Sequence, residues 1–325
     1  MSACGRNRAA LSPWLCDIRN VTPKFRAWLL ILLVSVVCGL SVWGVAWYRS
    51  RTLSPAAMLR RLPIDDSVVL FLDFAALRNG GILQMLDGSK VGEDPEYRSF
   101  VEKTEFDYKQ DLDTAMVAFS PKGKYMLLRG RFDWKSLASY VRGVDGTCNN
   151  SFCRMTGSTA DRRISFFPLQ SDMMALAVSP EEAAALNMNT VDSRPERELP
   201  AAPIWLSIPP SVVRSGQTLP DGAQMFARKL ERAQSVTLAL VPDGNAFSAR
   251  LDVRCVSAAD AAEIAGQLTK VTDLVREMIA RENRTPNPAD FSGFLTSGTF
   301  RSEGTRVHGY WAITRALIDN LLGGG

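Results

Sequence analysis

The strongest constraint on this chain is a stretch of 21 residues, 28–48, that contains no charged side chain. At about 1.5 Å of rise per residue, a helix of this length is roughly 32 Å long, enough to cross a hydrocarbon core of roughly 30 Å. Trp28 lies at one end, and Trp43, Trp47 and Tyr48 lie near the other, where aromatic rings favour the membrane interface. The sequence therefore predicts a single transmembrane helix over residues 28–48.

The charges around the stretch predict its orientation. Residues 1–27 hold five basic side chains and one acid, and such a basic tail favours the cytoplasmic side. Four arginines at residues 49–61 follow the stretch and weaken this asymmetry. We expect a single-pass protein of the cell membrane, with its amino terminus in the cytoplasm and its C-terminal domains outside. The lipid bilayer is then a partner of residues 28–48.

Two other interpretations of the stretch stay open. Gly44 and Ala46 resemble the small residues of a signal-peptide cleavage site, although the apolar core exceeds the usual length of about 7 to 15 residues. A lipoprotein signal at Cys38 needs a small residue before it, and Val37 is not small. A retained span is favoured over both interpretations.

Composition predicts that the rest of the chain is folded. The hydrophobic residues make up 46% of the chain and the charged residues 22%, which is typical of a globular protein. The chain carries 38 basic and 34 acidic side chains, and the tail 1–27 accounts for the whole net charge of +4. Because the remainder is neutral, we expect no nucleic acid as a partner.

The cysteines predict one disulfide. Cys148 and Cys153 enclose a loop of four residues, so their side chains could meet at bonding distance. Export to an oxidising compartment would allow the bond, and the alternative is two unpaired thiols in a loop. Cys255 ends an alternating apolar run, 247–255, that predicts a strand with this thiol on its buried face.

The chain after the stretch divides at a segment rich in proline and charge, residues 188–203, which is typical of a linker. A short connector, 49–62, comes first. We expect a first α+β domain at residues 63–187 and a second at residues 204–325.

The two predicted domains repeat one order of elements. Runs of alternating apolar and polar residues lie on both sides of the turns at residues 121–124 and 242–245. Each pair of runs predicts a β-hairpin, and a capped helix is predicted after each hairpin. Each half ends with a second hairpin, predicted at 294–300 and 306–312 in the second half. The predicted fold class is α+β, an N-terminal transmembrane helix followed by a tandem duplication of a unit with an antiparallel sheet and helices on one face. The alternative is a chance recurrence of common elements.

Ten apolar residues on these strands are expected to be buried in the two sheets. They are Leu70, Phe71, Val117, Leu128, Phe166, Leu238, Leu240, Phe247, Leu251 and Val253.

Motifs that carry chemistry are absent from the sequence. It contains no Gly-x-Ser-x-Gly elbow, no phosphate-binding loop of the Gly-x-x-x-x-Gly-Lys type and no Gly-x-Gly-x-x-Gly. His308 is the only histidine, and a structural or surface role is favoured because it shares a strand face with Arg306 and Tyr310. We therefore predict no catalytic, cofactor-binding or metal-binding residue, and no cofactor.

Two groups of acids are candidate sites. Four acids lie within nine residues and suggest calcium: Glu105, Asp107, Asp111 and Asp113. They lack the spacing of an EF-hand loop and alternate with aromatic residues, as in a packed turn. Asp65 and Asp66 are adjacent on an extended segment, so their side chains point apart and do not form a catalytic pair.

Three segments carry a resemblance to a known family. They read YRSFVEKTEFDYKQDLDTAMVAF, RGRFDWKSLASYV and SPEEAAAL, within residues 63–190. The chain resembles a family of uncharacterised bacterial single-pass membrane-anchored exported proteins. The resemblance implies a bacterial envelope setting, and it carries no activity and no functional residue.

Two functions follow as hypotheses. The first is a non-enzymatic binding or envelope-structural module, whose partner is an envelope protein or an apolar ligand. The alternative is an extracytoplasmic enzyme that uses Asp, Ser or Lys residues outside recognisable motifs. An open apolar pocket between the halves would favour ligand binding, whereas converging buried carboxylates would favour catalysis.

Overall fold

The computed structural model describes most of the chain after residue 52. The described residues are 33–41, 53–80, 83, 95–157, 159, 162–193, 198–215, 226, 228–243 and 246–322. The chain divides into two units, residues 1–52 and residues 53–325.

The structure contradicts the prediction of a transmembrane helix. Of the first unit, the structure describes residues 33–41, which are helical and exposed. Among the described residues, no helix has both the length and the apolar character that a membrane crossing needs. The predicted fold class is therefore wrong in its N-terminal transmembrane helix; the rest of residues 28–48 lies outside the described residues.

The second unit is built on one antiparallel sheet of twelve strands. The strands are β1 (Val68–Asp73), β2 (Leu112–Ser120), β3 (Gly123–Gly130), β4 (Thr147–Asn149), β5 (Phe152–Thr156), β6 (Arg163–Gln170), β7 (Met173–Ser179), β8 (Ile204–Ile208), β9 (Ser235–Asp243), β10 (Ala246–Arg254), β11 (Thr299–Glu303) and β12 (Arg306–Ile313). Their order across the sheet is β11-β12-β10-β9-β8-β1-β2-β3-β7-β6-β5-β4.

The two halves of this sheet follow the same strand order. The first half runs β1-β2-β3-β7-β6 from the centre outwards, and the second runs β8-β9-β10-β12-β11. The first half adds the hairpin β4–β5 at its edge. The halves join where β1 pairs antiparallel with β8, with Phe71 opposite Trp205. The predicted separate sheets are therefore one sheet, because this pairing satisfies backbone groups that two free edges would expose. The duplication itself, and the two separate domains, stay predictions.

The predicted hairpin at residues 121–124 is present, and glycine is required in it. Gly123 has φ +146°, and a Cβ there would lie 2.6 Å from the carbonyl oxygen of Val178 on β7. Because β3 lies between β2 and β7, this close approach lets the turn fit beside the next strand.

Within residues 53–325, the described helices are short except for one. They are α1 (Pro55–Leu59), α2 (Phe74–Asn79), α3 (Pro95–Thr104), α4 (Tyr108–Asp111), α5 (Trp134–Gly143), α6 (Pro210–Ser215), α7 (Ala258–Arg281), α8 (Phe291–Thr296) and α9 (Arg315–Leu322), with 3-10 helices at Ala184–Asn189 and Arg228–Leu230. The segment 294–300, predicted as a strand, begins inside α8. The Asp290 carboxylate accepts a hydrogen bond from the amide of Ser292 at 2.7 Å and so caps this helix.

One side of the sheet, which we call the helix face, is covered in both halves. In the first half, Phe74 and Leu77 of α2 belong to an apolar cluster with β2, while α5 packs against β5, β6 and β7. In the second half, Ile264 and Leu268 of α7 pack against β10 and β12. This burial of apolar side chains is the main stabilising contribution on this side.

The other side, which we call the groove face, is covered over the first half only. Met58 of α1 and the 3-10 helix Ala184–Asn189 pack there on Phe71 and Leu127. The prediction of helices on one face is therefore wrong for the first half. Both sides of these strands are apolar, and a helix on each side is needed to bury them.

The predicted core is partly confirmed. Phe71, Phe166, Leu251 and Val253 are buried. The other six residues of the predicted core are half-buried. Leu70 and Val117, for example, are cross-strand partners on the helix face, which is not covered continuously.

Candidate ligand-binding groove

The groove face of the second half is open and forms a groove of about 1130 Å³. Its floor consists of side chains from β8, β9, β10, β12 and β11, and one wall is formed by residues 64–69 at the start of β1. The volume is slightly larger than the range of about 300–1,000 Å³ that is typical of ligand clefts. The groove is therefore large enough for a small organic molecule.

The strand register brings a row of polar side chains together on the floor. Thr237 of β9 is opposite Asp252 of β10, Asp252 is opposite His308 of β12, and His308 is opposite Arg301 of β11. Cross-strand partners point to the same side of a sheet. Residues far apart in the sequence therefore form one continuous polar row.

A second row lies two residues further along the strands. Trp205 of β8 is opposite Ala239 of β9, Ala239 is opposite Arg250, and Arg250 is opposite Tyr310. Trp205 is buried and stacks on Phe71, with ring centroids 5.3 Å apart. This row therefore changes from apolar at Trp205 and Ala239 to polar at Arg250 and Tyr310, nearer the edge of the sheet.

Residues 198–202 form a second wall of the groove. Leu199 and Ala202 pack against the apolar cluster of the first half. The same residues also line a second hollow of about 790 Å³ beside Phe71 and Pro242. This segment therefore separates the groove from the neighbouring hollow.

Ion pairs link the wall to the floor. Arg306 donates a hydrogen bond to the Glu198 carboxylate at 2.7 Å, and its other terminal nitrogen lies 3.9 Å from Asp252. The pKa of Arg306 is raised, first by the hydrogen bond to Glu198 and then by the charge of Asp252. The same hydrogen bond lowers the pKa of Glu198. A carboxylate is thus already bound to an arginine of the groove.

Three other arginines of the groove have no such partner among the described residues. Arg250, Arg254 and Arg301 are exposed, and none forms an ion pair or side-chain hydrogen bond with a residue that the structure describes. Arg254 does contribute, through its charge, to the lowered pKa of Glu198. Arg250 and Arg301 are therefore the cations on the floor whose positive charge is least balanced by a nearby carboxylate.

The polar row does not form a nucleophilic catalytic arrangement. The Nδ1 atom of His308 lies 3.3 Å from Asp252. Asp252 therefore stands between His308 and Thr237, whereas nucleophilic catalysis needs the base between the hydroxyl and the acid. The side chain of Asp252 is 40% exposed and that of Glu198 is 74% exposed. The carboxylates of the groove are thus solvated rather than buried and converging.

The two candidate disulfide residues lie far from the groove, on the hairpin β4–β5. Cys148 and Cys153 are cross-strand partners, and the structure joins them in a disulfide. Cys255 is buried at the end of β10. The pKa of its thiol is raised, mainly by burial and to a smaller extent by the negative charge of Asp260.

The acidic run has local structural roles. Asp107 caps α4 by accepting a hydrogen bond from the amide of Lys109 at 2.9 Å. Asp111 pairs with Arg131, and Asp113 pairs with Arg78. In the part of the chain that the structure describes, no group of three or more His, Cys, Asp or Glu residues is arranged to hold a metal ion.

The sequence contained a signal for the groove that did not lead to a site prediction. The strand 247–255 has a polar face with Arg250, Asp252 and Arg254, and His308 shares its face with Arg306 and Tyr310. An uncovered sheet face is one reason for two such polar faces. Their pairing across β10 and β12 is a tertiary fact that periodicity cannot supply.

Comparisons with known proteins add little to this geometry. No protein-family model matches the chain, and no curated protein matches its sequence. The solved structures that are similar to it include crystal forms IV, I and III of TP0453. Form IV aligns with a TM-score of 0.46 and 12% identity, over 85% of this chain and 97% of that chain. Form I aligns with a TM-score of 0.46 and 12% identity, over 84% and 99%.

Form III aligns with a TM-score of 0.42 and 10% identity, over 84% of this chain and 99% of that chain. At these TM-scores the likeness carries no argument about this chain. The resemblance of residues 63–190 to a family of bacterial membrane-anchored exported proteins stays a prediction.

Proposed function

We propose that residues 53–325 form a non-enzymatic binding module of an oxidising compartment outside the cytoplasm. Its ligand is a small organic molecule that lies in the groove. The observation that carries this proposal is the unequal covering of one sheet face. Over the first half α1 and the 3-10 helix Ala184–Asn189 bury that face, and over the second half the same face is open.

The composition of the floor supports a binding role. Thr237 and Ser207 offer hydroxyl groups, while Ala239 and Val241 offer apolar surface in the same groove. Ligand clefts combine apolar surface with a small number of polar groups that orient the ligand. A ligand with both an apolar part and a polar group fits this floor.

The disulfide supports the compartment. Disulfides persist in oxidising environments such as the bacterial periplasm and the cell surface, and they are rare in the cytosol. The bond between Cys148 and Cys153 joins the hairpin β4–β5 at the edge of the sheet. The disulfide therefore supports the proposed extracytoplasmic compartment.

A groove-filling substitution tests the binding role. The probe is N-phenyl-1-naphthylamine, a neutral apolar dye whose fluorescence rises in apolar surroundings. We expect the unaltered protein to bind the dye saturably. Thr237→Trp should reduce the bound fraction at least tenfold, because the new ring occupies the space above the floor between Ser207 and Asp252.

Thr305→Trp is the matched control. Thr305 is exposed in the turn between β11 and β12, so this variant also adds a tryptophan but leaves the groove open. It should bind the dye as the unaltered protein does. Equal dye binding by the two variants, or no saturable binding by the unaltered protein, would refute the proposal.

A further inference from the structure

We infer that the ligand of the groove is an organic anion, and that its carboxylate or phosphate group binds between Arg250 and Arg301. This inference rests on the proposed function and names the class of ligand. The two arginines lie on β10 and β11, on either side of β12. Strands in a sheet are about 4.8 Å apart, so the two backbones are about 10 Å apart.

Two further polar side chains lie between these arginines. Tyr310 is the cross-strand partner of Arg250, and His308 is the cross-strand partner of Arg301. All four side chains line the groove. An anion above β12 would thus face a guanidinium on each side, with a phenol and an imidazole below. Arginine suits this task because its planar group binds carboxylate or phosphate through two parallel hydrogen bonds.

The charges of the groove favour an anion between Arg250 and Arg301. Two acids lie beside this site: Asp252 contacts His308 and Arg306, and Asp243 at the end of β9 accepts a hydrogen bond from the hydroxyl of Tyr310 at 3.5 Å. Asp65 and Asp66 line the groove at the start of β1, beyond β8 and β9. Asp252 and Asp243 therefore already have partners in the groove, whereas Arg250 and Arg301 form no ion pair with a described residue.

The contact of Glu198 shows which chemical group an arginine of the groove binds. Its carboxylate extends from the wall to Arg306 on β12, at 2.7 Å. That contact is a carboxylate bound to one floor arginine within the chain itself. Arg250 and Arg301 offer the same chemistry without an internal carboxylate among the described residues.

The neighbourhood of Arg250 indicates that the ligand also has an apolar part. Ala239 is the cross-strand partner of Arg250, and Val241 follows it on the same face of β9. A molecule whose anionic group binds at Arg250 extends over these two side chains towards Trp205. An inorganic ion would leave this part of the groove empty.

Calorimetric titration with three short amphiphiles tests the inference. Octanoate and octyl phosphate carry the two anionic groups, and octylammonium carries the opposite charge on the same tail. We expect both anions, below their micelle concentrations, to bind at least tenfold more tightly than octylammonium. Arg250→Gln and Arg301→Gln should each weaken anion binding about tenfold, and the double variant about a hundredfold, because each removes a charged hydrogen-bond donor.

Arg142→Gln is the matched control. Arg142 is an exposed arginine of α5 that forms no ion pair with a described residue, and it belongs to the other half of the sheet. This variant should bind the anions as the unaltered protein does. Equal loss in Arg142→Gln and in the double variant would overturn the inference, as would equal affinity for octylammonium.

A membrane surface is the other source of the same anionic chemistry. Sedimentation with phosphatidylglycerol vesicles and with phosphatidylcholine vesicles distinguishes it. Binding to phosphatidylglycerol that requires Arg250 and Arg301, without binding of monomeric octyl phosphate, would also overturn the inference. The dye separates this failure from that of the binding role, since a groove that binds the neutral dye but no anion refutes the anionic ligand alone.

Discussion

At the scale of single residues, the turn of the hairpin β4–β5 determines how Cys148 and Cys153 meet. Asn150 and Ser151 have φ of 49° and 67°, so both lie in the left-handed region and reverse the chain within two residues. Asparagine tolerates this region better than most residues do. The reversal brings the Cα atoms of the two cysteines to 4.1 Å.

The oxidation state of these cysteines tests the proposed compartment. In protein isolated from its native cell with thiols blocked at lysis, we expect a peptide linked through Cys148 and Cys153. Cys255 should be alkylated only after unfolding, because it is buried and its raised pKa keeps the thiol neutral at pH 7. Peptide mass mapping without reduction is the measurement. Alkylated Cys148 in the native sample would contradict an oxidising compartment.

At the scale of elements, α1 has more importance than its five residues suggest. Ser54 caps it by accepting a hydrogen bond from the amide of Ala57 at 3.2 Å, and Pro55 stands at its first position. An isolated helix of this length is unstable in water. Met58 is 1% exposed, so packing on the groove face is what holds the helix.

A pair of methionine substitutions tests this role of α1. Met58→Ala should reduce the free energy of unfolding by about 2–5 kcal/mol, because it leaves a cavity between α1 and the sheet. Met278→Ala, on the part of α7 where Met278 is 51% exposed, should change that free energy by less than about 0.5 kcal/mol. Urea unfolding of both variants gives the comparison. Similar values for the two would mean that α1 does not pack where the structure shows it.

At the scale of the molecule, the pairing of β1 with β8 makes one sheet out of two halves. Four residue pairs form this ladder at the centre of the sheet, and the stacked rings of Phe71 and Trp205 are part of it. The main apolar cluster also crosses the junction, since it contains Trp205 and Ala239 together with residues of the first half. The interior is therefore continuous across the boundary between the halves.

We therefore expect residues 53–325 to unfold as one cooperative unit. Leu268→Ala removes a fully buried side chain of α7 in the second half and should cost about 2–5 kcal/mol. In native-state hydrogen exchange of this variant, the amides of β3 in the first half and those of β10 in the second half should lose protection by the same amount. Leu127→Ala is the reciprocal variant. Loss of protection confined to the substituted half in both variants would instead support two separately folding domains.

Much of the fold was predictable from local pattern. The turn around Gly123, the alternating run that ends at Cys255 and the cap of α7 at Ser257 depend on neighbours in the sequence. The prediction of a strand at residues 294–300 is wrong. The aromatic residues of this segment suit a strand, but Asp290 caps a helix that begins just before it. In the groove, no single residue was predicted as a binding residue, although His308, Arg306 and Tyr310 were correctly placed on one strand face.

The sequence by itself determined the antiparallel hairpins, the polar and apolar faces of β10 and the short loop between Cys148 and Cys153. Each of these depends on alternation or spacing within about ten residues, which the chain carries locally. Only the tertiary structure decided that β1 pairs with β8, and that one face of the resulting sheet is covered over the first half and open over the second. The pairing of β1 with β8 joins segments more than a hundred residues apart, and the covering of a face depends on which segment packs against it. Hydrophobic periodicity is the same whichever segment provides the contact. Arg250 and Arg301 are therefore ordinary surface arginines in the sequence and become neighbours of one anion site only in the folded sheet.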